Sequence, residues 1–167
     1  MNERTQTILR GGLVAGLIGY GAVVVFFAVL NLFEGRSPFY TAALLGSAMF
    51  QGLDDPAAVQ VTAQPVFAYN AIHLLAFLAA GFIASWLVAE AERYPAAQYL
   101  VLVLLVVVAF HVYGAVLLAA QPLFGPGAWW RTGLPSLAAA VLMGWYLLRL
   151  HPALRQGMRE IPMGDVR

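Results

Sequence analysis

The chain has 167 residues, of which 62% are hydrophobic and only 10% are charged, and its formal net charge is +1. A soluble domain is about half apolar and about a quarter charged, so this composition predicts one integral membrane domain over residues 1–167. The small net charge excludes the basic surface that nucleic-acid binding needs. The sequence contains no cysteine and no lysine, which excludes disulfides, thiolate-bound metals, covalently attached c-type haem and lysine Schiff bases.

The first apolar run, residues 11–33, is long enough to cross a membrane. At a rise of about 1.5 Å per residue, a helix of this length crosses a hydrocarbon core of about 30 Å. The run follows Arg4 and Arg10, as a signal peptide would follow its basic residues. It is too long for such a peptide, however, and no A-x-A cleavage site lies near its end. We interpret it as a retained transmembrane helix.

A shorter segment, SPFYTAALLGSAMFQG at residues 37–52, follows the first run. Ser37 is a favourable helix cap, Pro38 suits the first helical position, and Gly52 is a typical helix end. About 15 residues make only about 22 Å of helix, which is short for a crossing. We predict an extra interfacial or re-entrant helix over residues 38–52; a crossing there would move the C-terminus to the other side.

Three further apolar runs cover residues 66–90, 98–120 and 129–150. The loops between them are short, so consecutive helices should be antiparallel neighbours. Proline residues at the boundaries support these limits, namely Pro65, Pro95 and Pro122. The predicted fold is therefore an all-α integral membrane protein, a bundle of four transmembrane helices with the short helix between the first two.

The arginines predict the orientation of the chain. They are concentrated before the first run and from Arg149 onwards, whereas the predicted outer loops carry few. By the positive-inside rule both termini are cytoplasmic, including a tail over residues 151–167, and this requires an even number of crossings. We predict a multi-pass protein of the bacterial inner membrane. Exposed aromatic residues fit the two membrane interfaces: Trp129 and Trp130 outside, and Trp86, Tyr94 and Tyr99 inside.

Small residues indicate how the helices pack, because small side chains let membrane helices approach closely. In the first helix Gly12, Gly16 and Gly19 share one face. In the second helix one stripe runs beside His73 and consists of Asn70, Phe77, Gly81 and Ala84. We expect these two faces to be packing surfaces.

Two histidines, His73 and His111, are the ionisable residues, apart from tyrosines, in the inner parts of the predicted spans. Ionisable residues within a membrane are functional candidates. Each histidine is about 14 to 15 Å along its helix from the outer end. Because the two helices are predicted to be antiparallel neighbours, we expect both imidazoles at a similar level in the outer half of the bilayer.

Two hypotheses explain these histidines. In the first, each imidazole is neutral and makes an interhelical hydrogen bond to Asn70, to Tyr113 or to the other histidine, and no cofactor is bound. In the second, His73 and His111 are axial ligands of a b-type haem iron, and Arg131 binds a propionate. A quinone site, in which one histidine hydrogen-bonds a carbonyl, is a related alternative. A zinc site would need further ligands.

The sequence has no P-loop, no HExxH and no GxSxG motif. We therefore expect a membrane protein without its own catalytic centre, in contact with bilayer lipid. It would act as an accessory or structural subunit of a larger membrane complex, or self-associate. An electron-transfer module that binds haem b or quinone is the first alternative, and a homo-oligomeric transporter or channel component is the second.

Overall fold

In a computed structural model of the protein, residues 2–94, 98–152 and 154 are described, except for the side chains of residues 98, 100–102, 108 and 111. The described residues form helices and no strand. The helices are α1 (Glu3–Phe33), α2 (Tyr40–Gln51), α3 (Ala63–Arg93), α4 (Gln98–Phe124) and α5 (Ala128–Leu150). Short 3₁₀ turns at Pro56–Ala58 and Gly125–Gly127 precede α3 and α5.

Three helical segments are long and apolar enough to cross a membrane: Glu3–Phe33, Ala63–Arg93 and Val103–Leu150. The all-α prediction is confirmed for the described residues, and the apolar segments indicate a lipid environment. The third segment has 48 residues and contains most of α4 together with α5. The predicted count of four crossings therefore remains a prediction.

The long helices extend beyond the apolar runs that predicted them. α1 begins at Glu3, where the Asn2 side chain accepts a hydrogen bond from the Arg4 amide at 3.2 Å. α3 begins two residues before Pro65, since a proline in the first helical turn removes no intrahelical hydrogen bond. Polar residues with good helix propensity add turns at both ends, and apolar periodicity alone does not detect them.

The connection between α1 and α2 is organised by Asn31, which is 1% exposed. Its side-chain amide donates to the carbonyl of Pro38 at 3.2 Å, and its oxygen accepts from the Thr41 hydroxyl at 2.9 Å. α2 ends at Gly52, whose φ of 69° is the left-handed conformation that glycine adopts without strain. This short helix packs on the N-terminal part of α3, where Gly46 lies against Pro65.

α1 and α3 form the centre of the bundle as an antiparallel pair. The predicted glycine faces meet: a methyl group on Gly81 would lie 2.6 Å from the backbone nitrogen of Gly16. At one end of this contact Ser85 donates to the carbonyl of Ile8 at 3.0 Å. The two backbones therefore touch with no side chain between them.

α5 packs against α1, and α4 packs against α5 and α3. The main apolar core lies near the N-terminal end of α1 and contains Ala15, Val88, Ala91, Met143, Leu147 and Leu154. α4 lies at the periphery, because Ala120 is the only buried residue among its described side chains. The site described next lies towards the other end of the α1–α3 pair.

Candidate functional site

A groove of about 530 Å³ lies between α1, α2 and the N-terminal half of α3. We call it the His73 groove. Residues 61 and 62, which lead into α3, also line it. The side chains that matter for its chemistry are Tyr20 and Phe27 from α1, with Phe67, Tyr69, Asn70 and His73 from α3. Its described lining is apolar and aromatic apart from a few polar groups, which is typical of small-molecule sites.

One polar pair joins the two helices across the groove. The Tyr20 hydroxyl donates to the side-chain oxygen of Asn70 at 2.9 Å, and the amide nitrogen of Asn70 donates to the carbonyl of Val66 at 2.8 Å. Val66 precedes Asn70 by one helical turn, so the second bond stays within α3. Both ends of the Asn70 amide therefore have partners, and the pair fixes the position of α3 against α1.

The His73 ring is held by three aromatic neighbours. It stacks on Tyr69 with centroids 5.1 Å apart and planes at 22°, and it meets Phe77 edge-on at 5.0 Å. The ring of Tyr20 lies tilted at 5.9 Å. Positions 69, 73 and 77 are spaced by four residues and so share one face of α3. This packing defines the plane of the imidazole.

The two nitrogens of His73 have different surroundings. Nδ1 lies 3.3 Å from the Tyr69 hydroxyl, whereas Nε2 is buried and has no hydrogen-bond partner within the described part of the chain. If the hydroxyl donates to Nδ1, a neutral ring carries its proton on Nε2. A buried polar group without a partner costs about 1 to 3 kcal/mol, so a ligand that binds Nε2 would recover that free energy.

Two of the partners predicted for the histidines, Asn70 and Tyr113, are bonded to other groups. Asn70 is used by Tyr20, and the hydroxyl nearest to the imidazole belongs to Tyr69 on the same helix. The Tyr113 hydroxyl donates to the carbonyl of Trp129 at 2.9 Å. His111 is in α4, but its side chain lies outside the described residues, so the predicted pairing of the two histidines stays a prediction.

Arg131 lies near the end of the bundle where α1 meets α2. Its guanidinium is 2.5 Å from Glu34, which also approaches Arg36 at 3.4 Å. Glu34 caps the C-terminal end of α1 and comes fourteen positions after Tyr20, which is about 20 Å along the helix axis. Arg131 therefore lies well away from the level of His73, and its role at a propionate stays a prediction.

A second polar cluster lies at the opposite end of the bundle. Arg4 forms an ion pair with Glu90, and Nδ1 of His151 lies 2.6 Å from Glu92. His151 is only 5% exposed. The signal available in the sequence was that both acidic residues and His151 end helices on one predicted side of the membrane.

Comparisons with protein-family models, curated proteins and solved structures found no match to this chain. Within the described residues no group of three histidine, cysteine, aspartate or glutamate side chains is arranged to bind a metal ion. The functional assignment therefore rests on the geometry of the His73 groove.

Proposed function

We propose that this protein is a small multi-pass membrane subunit, without its own catalytic centre, that binds a quinone-type carbonyl compound in the His73 groove. The observation that carries this proposal is the buried, unpartnered Nε2 of His73 in the wall of a largely apolar groove. The groove volume of about 530 Å³ falls within the range of about 300 to 1,000 Å³ for small-molecule sites.

The polar groups of the groove favour a ligand that accepts a hydrogen bond. Tyr20 and Asn70 already bond to each other, and among the described lining residues His73 carries a buried polar atom without a partner. With the Tyr69 hydroxyl donating to Nδ1, Nε2–H is a donor, and a carbonyl oxygen is its natural acceptor. The rings of Phe27 and Phe67 in the groove wall suit a flat apolar ring system.

Four crossings, made by α1, α3, α4 and α5, complete the proposal, with both termini in the cytoplasm of a bacterial cell. The length of α2 supports this topology: its 12 residues make about 18 Å of helix, too short for a hydrocarbon core of about 30 Å. α2 would lie at the outer interface and cover the groove from that side. The exposed apolar surface of α4 would contact lipid or another subunit of a larger complex.

A haem b site is the second candidate, and the same free Nε2 favours it, since an imidazole nitrogen without a partner can bind iron. It also requires His111 to approach His73. A reduced-minus-oxidised visible spectrum of the purified protein separates the two candidates. Haem absorption that disappears in both His73→Ala and His111→Ala would replace the quinone proposal with an electron-transfer role.

The quinone proposal is tested by titrating the detergent-purified protein with decylubiquinone. His73→Phe keeps an aromatic ring beside Tyr69 and Phe77 but removes both nitrogens, and we expect it to weaken binding about tenfold, the value of one hydrogen bond to a buried donor. Leu75→Ala, at a 65% exposed position of the same helix, should leave the affinity unchanged. Equal affinity in His73→Phe and wild type, or no binding to wild type, would refute the proposal.

A further inference from the structure

A second cavity, of about 370 Å³, lies where the N-terminal end of α1 meets the C-terminal ends of α3 and α5. We call it the helix-end pocket. Its polar lining consists of Arg4, Thr7, Glu92, Arg93 and His151. It is separate from the His73 groove, with which it shares no lining residue among those described.

Among the described residues around the helix-end pocket, one cation has no carboxylate partner. Glu90 is paired with Arg4, and Glu92 is in contact with His151. The guanidinium of Arg93 lies over the Tyr94 ring at 5.1 Å and pairs with no carboxylate in the part of the chain that the structure describes. Both nearby carboxylates therefore have their own partners, and Arg93 can bind an anion.

The position of the helix-end pocket along the helices suggests which anion it meets. Trp86 in α3 and Trp145 in α5 are 51% and 52% exposed. They precede Arg93 and His151 by seven and six residues, which is about 10 Å along each helix. Exposed tryptophans are enriched at the membrane–water interface, so the pocket lies at the level of lipid headgroups.

We propose that the helix-end pocket binds a phosphate group, with Arg93 as its ligand. Arginine is suited to phosphate because its planar fork of N–H groups forms paired, charge-assisted hydrogen bonds. Basic pockets between membrane helices on the cytoplasmic side bind anionic headgroups in the same way. The phosphate belongs either to a phospholipid or to a soluble anion, and the experiment distinguishes these sources.

The test measures binding of dihexanoyl phosphatidylglycerol to the full chain in a maltoside detergent, which carries no phosphate. Arg93→Gln should weaken binding about tenfold or more, the usual effect of losing a charge-assisted hydrogen bond, and Arg93→Lys should weaken it less. Arg149→Gln is the matched control: this arginine, at the same end of the bundle, lies 3.8 Å from the Trp145 ring and does not line the pocket. Thermal unfolding of each variant verifies that it is folded.

Competition by inorganic phosphate shows whether the pocket accepts a phosphate group only from a phospholipid or also from a soluble anion. If millimolar phosphate displaces the lipid from wild type, the pocket takes phosphate groups of either origin; if it does not, the pocket is specific for the lipid. Either result supports the phosphate site when Arg93→Gln alone reduces lipid binding. Equal losses in Arg93→Gln and Arg149→Gln would instead indicate general surface charge. That result, or unchanged binding in Arg93→Gln, would overturn the proposal.

Discussion

The contact between α1 and α3 gives a direct prediction for the substitution Gly81→Ala. The added methyl group would lie 2.6 Å from the backbone nitrogen of Gly16 and would also overlap the carbonyl oxygen of Gly12. Carbon atoms normally approach neighbouring heavy atoms only to about 3.5 to 4.0 Å. The obstacles are backbone atoms of another helix, which have no rotamer to change, so the helices must separate by about 1 Å.

The expected change in the free energy of unfolding of Gly81→Ala combines two opposing effects, the poorer packing between α1 and α3 and the higher helix propensity of alanine. Overpacking a close contact costs about 1 to 3 kcal/mol, and we take the upper end because the backbone of Gly16 cannot move aside. Separating the two helices by about 0.5 to 1 Å also removes about a quarter to a half of the dispersion energy of each contact along the interface. Replacing glycine by alanine within a helix returns about 1 kcal/mol. We expect Gly81→Ala to lower the free energy of unfolding by about 2 kcal/mol.

Gly144→Ala is the matched control, because a methyl group on Gly144 would meet no atom of the other described helices within 4 Å. It should be neutral or stabilise by up to about 1 kcal/mol through helix propensity alone. Both variants are compared with wild type by unfolding in mixed detergent and dodecyl sulfate micelles, followed by circular dichroism. If Gly81→Ala is as stable as Gly144→Ala, the close approach of α1 and α3 is refuted.

The same unfolding measurement tests three further contacts. Asn31→Ala removes the acceptor of the buried Thr41 hydroxyl and should cost about 1 to 3 kcal/mol; a loss below about 0.5 kcal/mol would mean that Asn31 does not organise the α1–α2 turn. Ser85→Ala removes one bond to α1 and should cost about 1 kcal/mol, so an unchanged stability would speak against that bond. The half-buried pair of Glu34 and Arg131 is tested by a double-mutant cycle with Glu34→Gln and Arg131→Gln. The coupling free energy should be about 1 kcal/mol. Zero coupling would show that the pair does not hold α1 to α5.

The glycine contact was predictable because it depends on local spacing. Gly12 and Gly16 lie on one helix face, and only small residues allow two backbones to touch in a membrane. Gly81 stood in the corresponding stripe of the second predicted span. The apolar runs likewise predicted the long helices, since a sustained run of this length has few alternatives in a lipid environment.

The partners of His73 were not predictable in the same way. The stacking on Tyr69 follows from an i, i+4 spacing that is visible in the sequence, yet the bond from Tyr20 to Asn70 depends on how α1 and α3 are rotated about their axes. That rotation depends on the whole interface between α1 and α3, which includes the glycine contact as well as the polar bonds. The contact between His151 and Glu92 joins helix ends that are 59 residues apart, and no periodicity links such positions.

The number of crossings is the prediction with the widest consequence, and the absence of cysteine from the chain makes it measurable. Single cysteines are introduced by Glu3→Cys, Arg36→Cys, Asp54→Cys, Pro126→Cys and Gln156→Cys. Each is treated with a membrane-impermeant maleimide before and after lysis of spheroplasts. With four crossings and α2 at the outer interface, positions 36, 54 and 126 should react from outside, and positions 3 and 156 only after lysis.

Each departure from this pattern has a distinct structural meaning. If positions 36 and 54 react from opposite sides, α2 crosses the membrane, and the His73 groove between α1, α2 and α3 lies within the bilayer with no cover at the interface. If position 126 reacts only after lysis while position 54 reacts from outside, α4 does not cross. Either departure would conflict with the helix-end pocket, because this pocket joins the N-terminal end of α1 to the C-terminal ends of α3 and α5, and an odd number of crossings between these ends would place them on opposite sides of the membrane. Reaction of position 3 from outside would reverse the orientation and place that pocket in the outer leaflet, where the basis for the arginine argument fails.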